Sequence, residues 1–209
     1  MKRKPIYSFF KRCFDIFCSL LAIVFFALPM LIVAITIKCD SKGPVFFKQD
    51  RIGKNKKIFK ILKFRSMYVD TDSNTPTHQL ENAQNHITKV GAFIRRTSID
   101  ELPQLFNILV GQMSFVGPRP ALWNQEDLIS ARDKCHANDV KPGLTGLAQI
   151  KGRDVLEIET KAKFDGEYVE RRSFFYDIGI IFKTVFFVFK REGIVEGKIE
   201  KHNQTKKTI

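Results

Sequence analysis

Residues 16–37 read IFCSLLAIVFFALPMLIVAITI, an apolar run broken only by Cys18, Ser19, Pro29 and Thr36. A stretch of about twenty such residues can cross a bilayer as a helix. Its flanks are basic on both sides. Lys2, Arg3, Lys4, Lys11 and Arg12 precede it, and Lys38, Lys42, Lys48, Arg51, Lys54, Lys56 and Lys57 follow it. Positive flanks favour the cytoplasmic side of a membrane, and a straight span can satisfy only one of them. A helix that enters, bends at Pro29 and returns to the same face satisfies both, because proline removes a backbone hydrogen bond and kinks a helix. A straight span that tolerates Pro29 is the alternative. A cleaved secretory signal fits less well, since the run is long and no small-residue cleavage site follows it.

The chain has 209 residues and a net charge of +13. That length suits one domain with its own core. The charge calls for nucleic acid, anionic lipid or a phosphorylated substrate as partner, and the apolar run turns the choice away from nucleic acid. Cys13, Cys18, Cys39 and Cys135 form no CxxC pair and no zinc-like spacing with histidine. They read as small apolar residues in a reducing compartment.

The densest chemistry lies at Arg95-Arg96-Thr97-Ser98-Ile99-Asp100-Glu101-Leu102-Pro103-Gln104, followed by Gly117-Pro118-Arg119-Pro120. Arginine forks match phosphate oxygens bidentately. A carboxylate can attack phosphorus or hold a magnesium ion that bridges phosphates. The spacing predicts a helix over 98–110 with Asp100 as N-cap, which leaves Pro103 in the tolerant first turn. The plainer reading is that Asp100 and Glu101 only cap that helix.

Val45–Lys48 and Lys57–Phe64 read as short strands, or a helix–strand mix, around Gly53-Lys54-Asn55. Residues 70–85 read as a loop, in which Asp70-Thr71-Asp72 resembles a metal-binding triplet or is simply solvated acid. Helices are expected over 124–137 and 156–170, and a rigid turn over Lys141-Pro142-Gly143-Leu144-Thr145-Gly146. Residues 174–189 are apolar nearly all round and suit either an interfacial helix or a buried core helix. The tail from 198 is polar and basic, with little to bury.

The string TSIDELPQLFNILVGQMSFVGPRP resembles the bacterial sugar transferase family, the small monotopic phosphoglycosyl transferases. Lys63-Phe64-Arg65-Ser66-Met67 is similar to the family's KFRSM segment. Pro142-Gly143-Leu144-Thr145-Gly146-Leu147-Ala148-Gln149, with Gly152-Arg153, is similar to its PGxTGxAQ…GR element. The four motifs stand in the family's order and cover nearly the whole chain. Two departures stand out: Leu28-Pro29 replaces the frequent Ser-Pro at the helix break, and Leu147 stands where many members have Trp.

The resemblance implies an α+β, mainly helical fold: a re-entrant membrane hairpin over 1–40, a cytoplasmic domain over 41–195 with interfacial helices, and a disordered tail over 196–209. It implies transfer of a sugar 1-phosphate from a UDP-sugar to undecaprenyl phosphate with release of UMP, through an aspartyl-phosphosugar intermediate. The work is expected at the cytoplasmic face of a bacterial inner membrane, in capsule, exopolysaccharide or O-antigen synthesis. Asp100 would be the nucleophile, and Glu101 would ligate Mg²⁺ with it or manage a proton. Arg95, Lys63, Arg65, Pro118, Arg119, Pro120, Thr145, Gln149 and Arg153 would bind substrate. The residues after Pro120 lean toward an N-acetylated amino sugar, and a homodimer is compatible with an interfacial enzyme. The rival readings are a metal-dependent glycosyltransferase using Asp70 and Asp72, which would release UDP, and a non-enzymatic basic membrane protein.

Overall fold

The computed structural model describes residues 4–72, 75, 83–152 and 156–190. Arg153 and the tail from 191 lie outside the described residues, as does much of the polar stretch between 73 and 82.

One helix, α1, runs from Pro5 to Asp40. Pro5 sits at its start, where a missing N–H costs nothing. Helix geometry continues through Pro29, although proline cannot return a hydrogen bond to the residue four before it. At 1.5 Å per residue this length is about 54 Å, well beyond a hydrocarbon core of about 30 Å. Among the described residues α1 is the one helix long and apolar enough to cross a membrane.

Its two faces differ. Val24, Phe25 and Leu28 are largely exposed, as are Ile6, Phe9 and Phe17. The other face is a wall of the globular core. Ala22 and Ile23 pack on a cluster of Phe59, Ile61, Leu105, Ile108 and Met113. Met30, Val33, Ala34 and Ile37 pack with Phe64 and Ile94. Both ends are also tied down: Lys4 Nζ donates to the carbonyls of Glu170 and Arg172, and Asp40 Oδ2 accepts from Val90 N–H.

Of the two readings of this region, short strands or a helix–strand mix, the structure has strands: β1 (Phe46–Ile52), longer than the expected 45–48, and β2 (Ile58–Phe64) pair as an antiparallel hairpin from Phe46↔Phe64 to Ile52↔Ile58. A 3-10 turn over Lys54–Lys56 joins them. Helix α2 (Lys89–Arg96) is capped by Thr88, whose side chain accepts from Gly91 N–H.

The helix expected over 98–110 is divided. Ser98 is left-handed (φ 56°), Ile99–Glu101 is a separate 3-10 turn, and α3 runs Gln104–Val110 with Pro103 as its cap residue. Asp100 is therefore not an N-cap. Pro103 has no N–H to return to Ile99, so Leu102 N–H closes a tighter turn onto Ile99 O instead.

The expected rigid turn over 141–146 is also revised. Gly143–Thr145 is strand β4, paired in parallel with β3 (Ser114–Val116). The pairing requires glycine, because a Cβ on Gly143 would fall 2.1 Å from Gly117 N. This contact fixes the backbone just before Pro118.

Helices α4 (Glu126–Lys134), α5 (Leu147–Lys151), α6 (Ile158–Arg171) and α7 (Phe174–Lys190) complete the chain. Leu147, at the family's frequent Trp position, is buried with Val116, Tyr168 and Ile180. Helix α7 divides the two readings of its sequence between its faces: Asp177 and Ile180 are buried, while Phe175 is 84 % exposed and Phe182 73 %.

Candidate active site

Four segments converge on the acidic pair. The 3-10 turn presents Asp100 and Glu101, β2 presents Lys63, the loop after β3 presents Arg119, and the end of α2 brings Arg95. Asn107 on α3 fixes the β2 side of this arrangement. Its amide donates to Lys60 O at 2.9 Å and its oxygen accepts from Leu62 N–H at 2.9 Å, so Lys63 follows a strand bolted to the helix behind the acids.

Glu101 Oε1 takes both Lys63 Nζ at 2.8 Å and Arg119 Nη2 at 2.9 Å. Asp100 Oδ2 lies 3.9 Å from Lys63 Nζ, and among the described residues its carboxylate accepts no hydrogen bond. It is nonetheless buried, 7 % exposed. The two acids therefore titrate apart. Burial, reinforced by the Glu101 charge, pushes the Asp100 carboxyl up against the pull of Lys63, Arg95 and Arg119. Burial also opposes the Glu101 charge, but Arg119 and Lys63, through charge and hydrogen bonds together, hold that carboxyl far below its usual range. Glu101 is a locked anion; Asp100 is a buried carboxylate whose oxygens take no hydrogen bond among the described residues.

Pro118 and Pro120 are buried while Arg119 is exposed between them. Pro118 O accepts from Gly143 N–H at 2.9 Å, and Pro120 O accepts from Arg51 Nη1 at 3.0 Å. Arg51 was not legible as a site residue. Its Nε and Nη2 hold Gln49 Oε1, and burial followed by the nearby Arg119 charge lowers its guanidinium from the ordinary arginine value. The one available sequence signal was the Gln49-x-Arg51 alternation, which puts two long polar side chains on one face of a strand.

The other anticipated residues have different surroundings. Arg65 is buried, with its guanidinium on the carbonyls of Lys42 and Ser41 at the end of α1. Thr145 Oγ1 pairs with Thr184 Oγ1 at 2.6 Å, and Gln149 Nε2 donates to Leu144 O. These contacts do not bring Arg65, Thr145 or Gln149 to the acidic pair. Arg95 Nη1 reaches Ser66 Oγ at 3.5 Å.

For a metal, the donors at this centre are the two adjacent carboxylates. Among the described residues no cluster of three or more His, Cys, Asp or Glu could hold an ion, at Asp70 and Asp72 or elsewhere. Magnesium fits so sparse a set, since it binds through one or two carboxylates and completes its shell with phosphate and water.

A buried carboxylate, a second acid held by Lys63 and Arg119, and the nearby charge of Arg95 thus form one compact cluster. The chain matches the family described as "Bacterial sugar transferase" over residues 6–191 and belongs to it. It is 44 % identical over 187 residues to the exopolysaccharide production protein PSS of Rhizobium leguminosarum bv. phaseoli, covering 84 % of this chain and 92 % of that one. It is 44 % identical over 184 residues to the UDP-glucose:undecaprenyl-phosphate glucose-1-phosphate transferase of Klebsiella pneumoniae, covering 85 % of this chain but 39 % of that longer protein. An Aeromonas hydrophila relative, 39 % identical over 192 residues (87 % of this chain, 44 % of that one), is named a UDP-N-acetylgalactosamine-undecaprenyl-phosphate N-acetylgalactosaminephosphotransferase.

Proposed function

We propose that the protein transfers a sugar 1-phosphate from a UDP-sugar to undecaprenyl phosphate, at the cytoplasmic face of a bacterial inner membrane, for the synthesis of an exopolysaccharide, capsule or related glycan. The carrying observation is the asymmetry of the acidic pair. Asp100 keeps its oxygens unengaged by hydrogen bonds while Glu101 holds Lys63 and Arg119.

An Asp100 oxygen attacks the phosphorus that bears the sugar, and the bond from that phosphorus to the bridging oxygen breaks. UMP leaves, and an aspartyl phosphosugar forms. An oxygen of the lipid phosphate then attacks the same phosphorus, the aspartyl–phosphorus bond breaks, and the carboxylate is restored. Burial favours the first step, because a poorly solvated carboxylate is a better nucleophile. Arg119 and Arg95 hold the diphosphate oxygens, Lys63 balances charge between the acids, and Glu101 positions both Lys63 and Arg119. Magnesium on Asp100 and Glu101 would neutralise the diphosphate and the departing UMP.

The placement at one membrane face draws on α1. Both of its ends bond to the globular domain, and its middle walls two core clusters, so its termini belong on the same side as that domain. The exposed aromatic face of α7 would rest in the interface.

The sugar is a hexose or N-acetylhexosamine carried by UDP. The named relatives use glucose, galactose or N-acetylgalactosamine. The deciding experiment incubates the purified protein with undecaprenyl phosphate and a panel of UDP-sugars. UMP released with one sugar supports the reading; UDP as the product would mean a conventional glycosyltransferase instead.

A further inference from the structure

A second cleft lies apart from the acidic pair, at the N-terminal end of α1. Its volume is about 710 Å³. Six cations line it: Lys4, Lys11, Arg12, Lys54, Lys141 and Arg172. Its acids are Asp15 and Asp139, two against six cations, and the Asp15 charge offsets part of that of Lys11 and Lys141. Asp15 Oδ1 accepts from Ser114 Oγ and Phe115 N–H, and Asp139 meets His136. None of Asp100, Glu101, Lys63 or Arg119 lines the cleft.

We infer that this cleft is an anion site that takes a phosphate-bearing group, carried by the headgroup of an anionic phospholipid or by a soluble phosphate.

The charge balance carries the argument. Lys11 is neutralised by Asp177 at 2.5 Å. Among the described residues Lys4 and Arg12 are held by neutral carbonyls, those of Glu170, Arg172, Ile108 and Leu109. Such bonds fix a cation's position and leave its charge unopposed. Lys54 and Lys141 make no side-chain hydrogen bond and no ion pair within 4 Å among the described residues, although the Asp15 charge opposes Lys141 at longer range. A Cβ on Gly111 would fall 3.1 Å from Arg12 Nη2 and 3.3 Å from Lys141 Nζ, so the two cations flank one point. Burial, and next the Arg12 charge, lower Lys141 from its ordinary value. A half-enclosed group of like charges with fixed positions is unfavourable until an anion enters, and convergent cations at such a site are what phosphate oxygens require. The same end of α1 exposes Ile6 by 74 % and Phe9 by 66 %, which would set the cleft at a bilayer surface, where headgroup phosphates lie.

The test uses the full chain in neutral detergent micelles and follows its thermal midpoint against inorganic phosphate, short-chain phosphatidylglycerol and, as zwitterionic control, short-chain phosphatidylcholine. One of the first two should raise the midpoint of the wild type. The double variant Lys54→Ala/Lys141→Ala should bind that probe about tenfold or more weakly, at roughly one kcal/mol per lost cation, whereas Lys57→Ala should not. Without probe the double variant should be about as stable as the wild type, because the attraction of Lys141 to Asp15 that it loses is offset by relief from Arg12, Lys54 and Lys11. Stabilisation by the glycerol lipid alone assigns a headgroup site, and by phosphate alone a soluble anion. The inference is overturned if neither probe stabilises the wild type, if the double variant binds as the wild type does, or if the affinity is lost in Arg119→Ala instead, which would place the anion at the acidic pair.

Discussion

Glu101 Oε1 accepts from Arg119 Nη2 at 2.9 Å, so a residue in a 3-10 turn anchors an arginine that reaches it from between two buried prolines. The contact sets the roles of the acidic pair. Glu101 is already engaged by two cations, and Asp100 beside it is not, which is why the proposed reaction falls to Asp100.

Asp100→Asn should remove both UMP release and the covalent phosphosugar adduct, with turnover lower by about 10³-fold or more. Intact-protein mass spectrometry after incubation with the UDP-sugar reads the adduct. Near-normal turnover would dismiss Asp100 as nucleophile.

The same variant should not lose stability at neutral pH. The folded carboxyl sits above its unfolded value, mainly through burial, so its charge costs the folded state above that range and costs nothing once both states are protonated. Asp100→Asn should thus melt at or above the wild-type temperature near neutrality, and the difference should vanish as pH falls below the ordinary carboxylate range. Glu101 has the opposite sign. Its lowered carboxyl contributes stability above the ordinary glutamate range that is lost as pH falls through its depressed folded value. Melting curves of Asp100→Asn and Glu101→Gln across pH separate the two.

Arg119→Ala should raise KM for the UDP-sugar by about tenfold, the scale of one charge-assisted hydrogen bond. Arg51→Ala should shift KM in the same direction by a smaller factor, since Arg51 acts through Pro120 O. Steady-state kinetics with UMP detection gives both, and an unchanged KM in Arg119→Ala would remove it from substrate binding.

EDTA should abolish turnover and Mg²⁺ should restore it. Full activity after exhaustive chelation would take the divalent ion out of the scheme.

In a background without native cysteines, Lys4→Cys and Lys42→Cys should both be labelled by an impermeant reagent in inverted vesicles and neither from outside intact cells. Labelling from opposite sides would mean a straight span.

That 45–48 and 57–64 could be strands was legible from their aromatic and β-branched residues around Gly53, though a helix–strand mix stayed open and the pairing was not legible, and the acidic pair was legible because its residue types are unusual together. The β3–β4 pair was not. Three-residue strands carry no period, and their parallel pairing depends on Gly143 meeting Gly117 across distant sequence. The start of α3 was misjudged because capping rules place Pro103 inside a first turn, and they do not weigh the left-handed Ser98 that detaches the preceding turn. Arg51 is hidden in a run of basic residues, since the carbonyl that holds its guanidinium at the site lies 69 residues away. For α1, an apolar surface nearly all round conceals which face meets protein and which meets lipid.

That divided helix has a consequence for how the molecule is made. Ile37 is 2 % exposed against Phe64 and Ile94, and Arg12 holds the carbonyl end of α3. The long apolar helix is thus a structural member of the globular core rather than a tether attached to it. The two core clusters are therefore complete only when β2, α2 and α3, which follow it in the chain, come to rest on the helix that emerges first. A fragment starting at residue 41 would lack one wall of two core clusters, and its expected fate in size-exclusion chromatography is aggregate, not a freed enzyme.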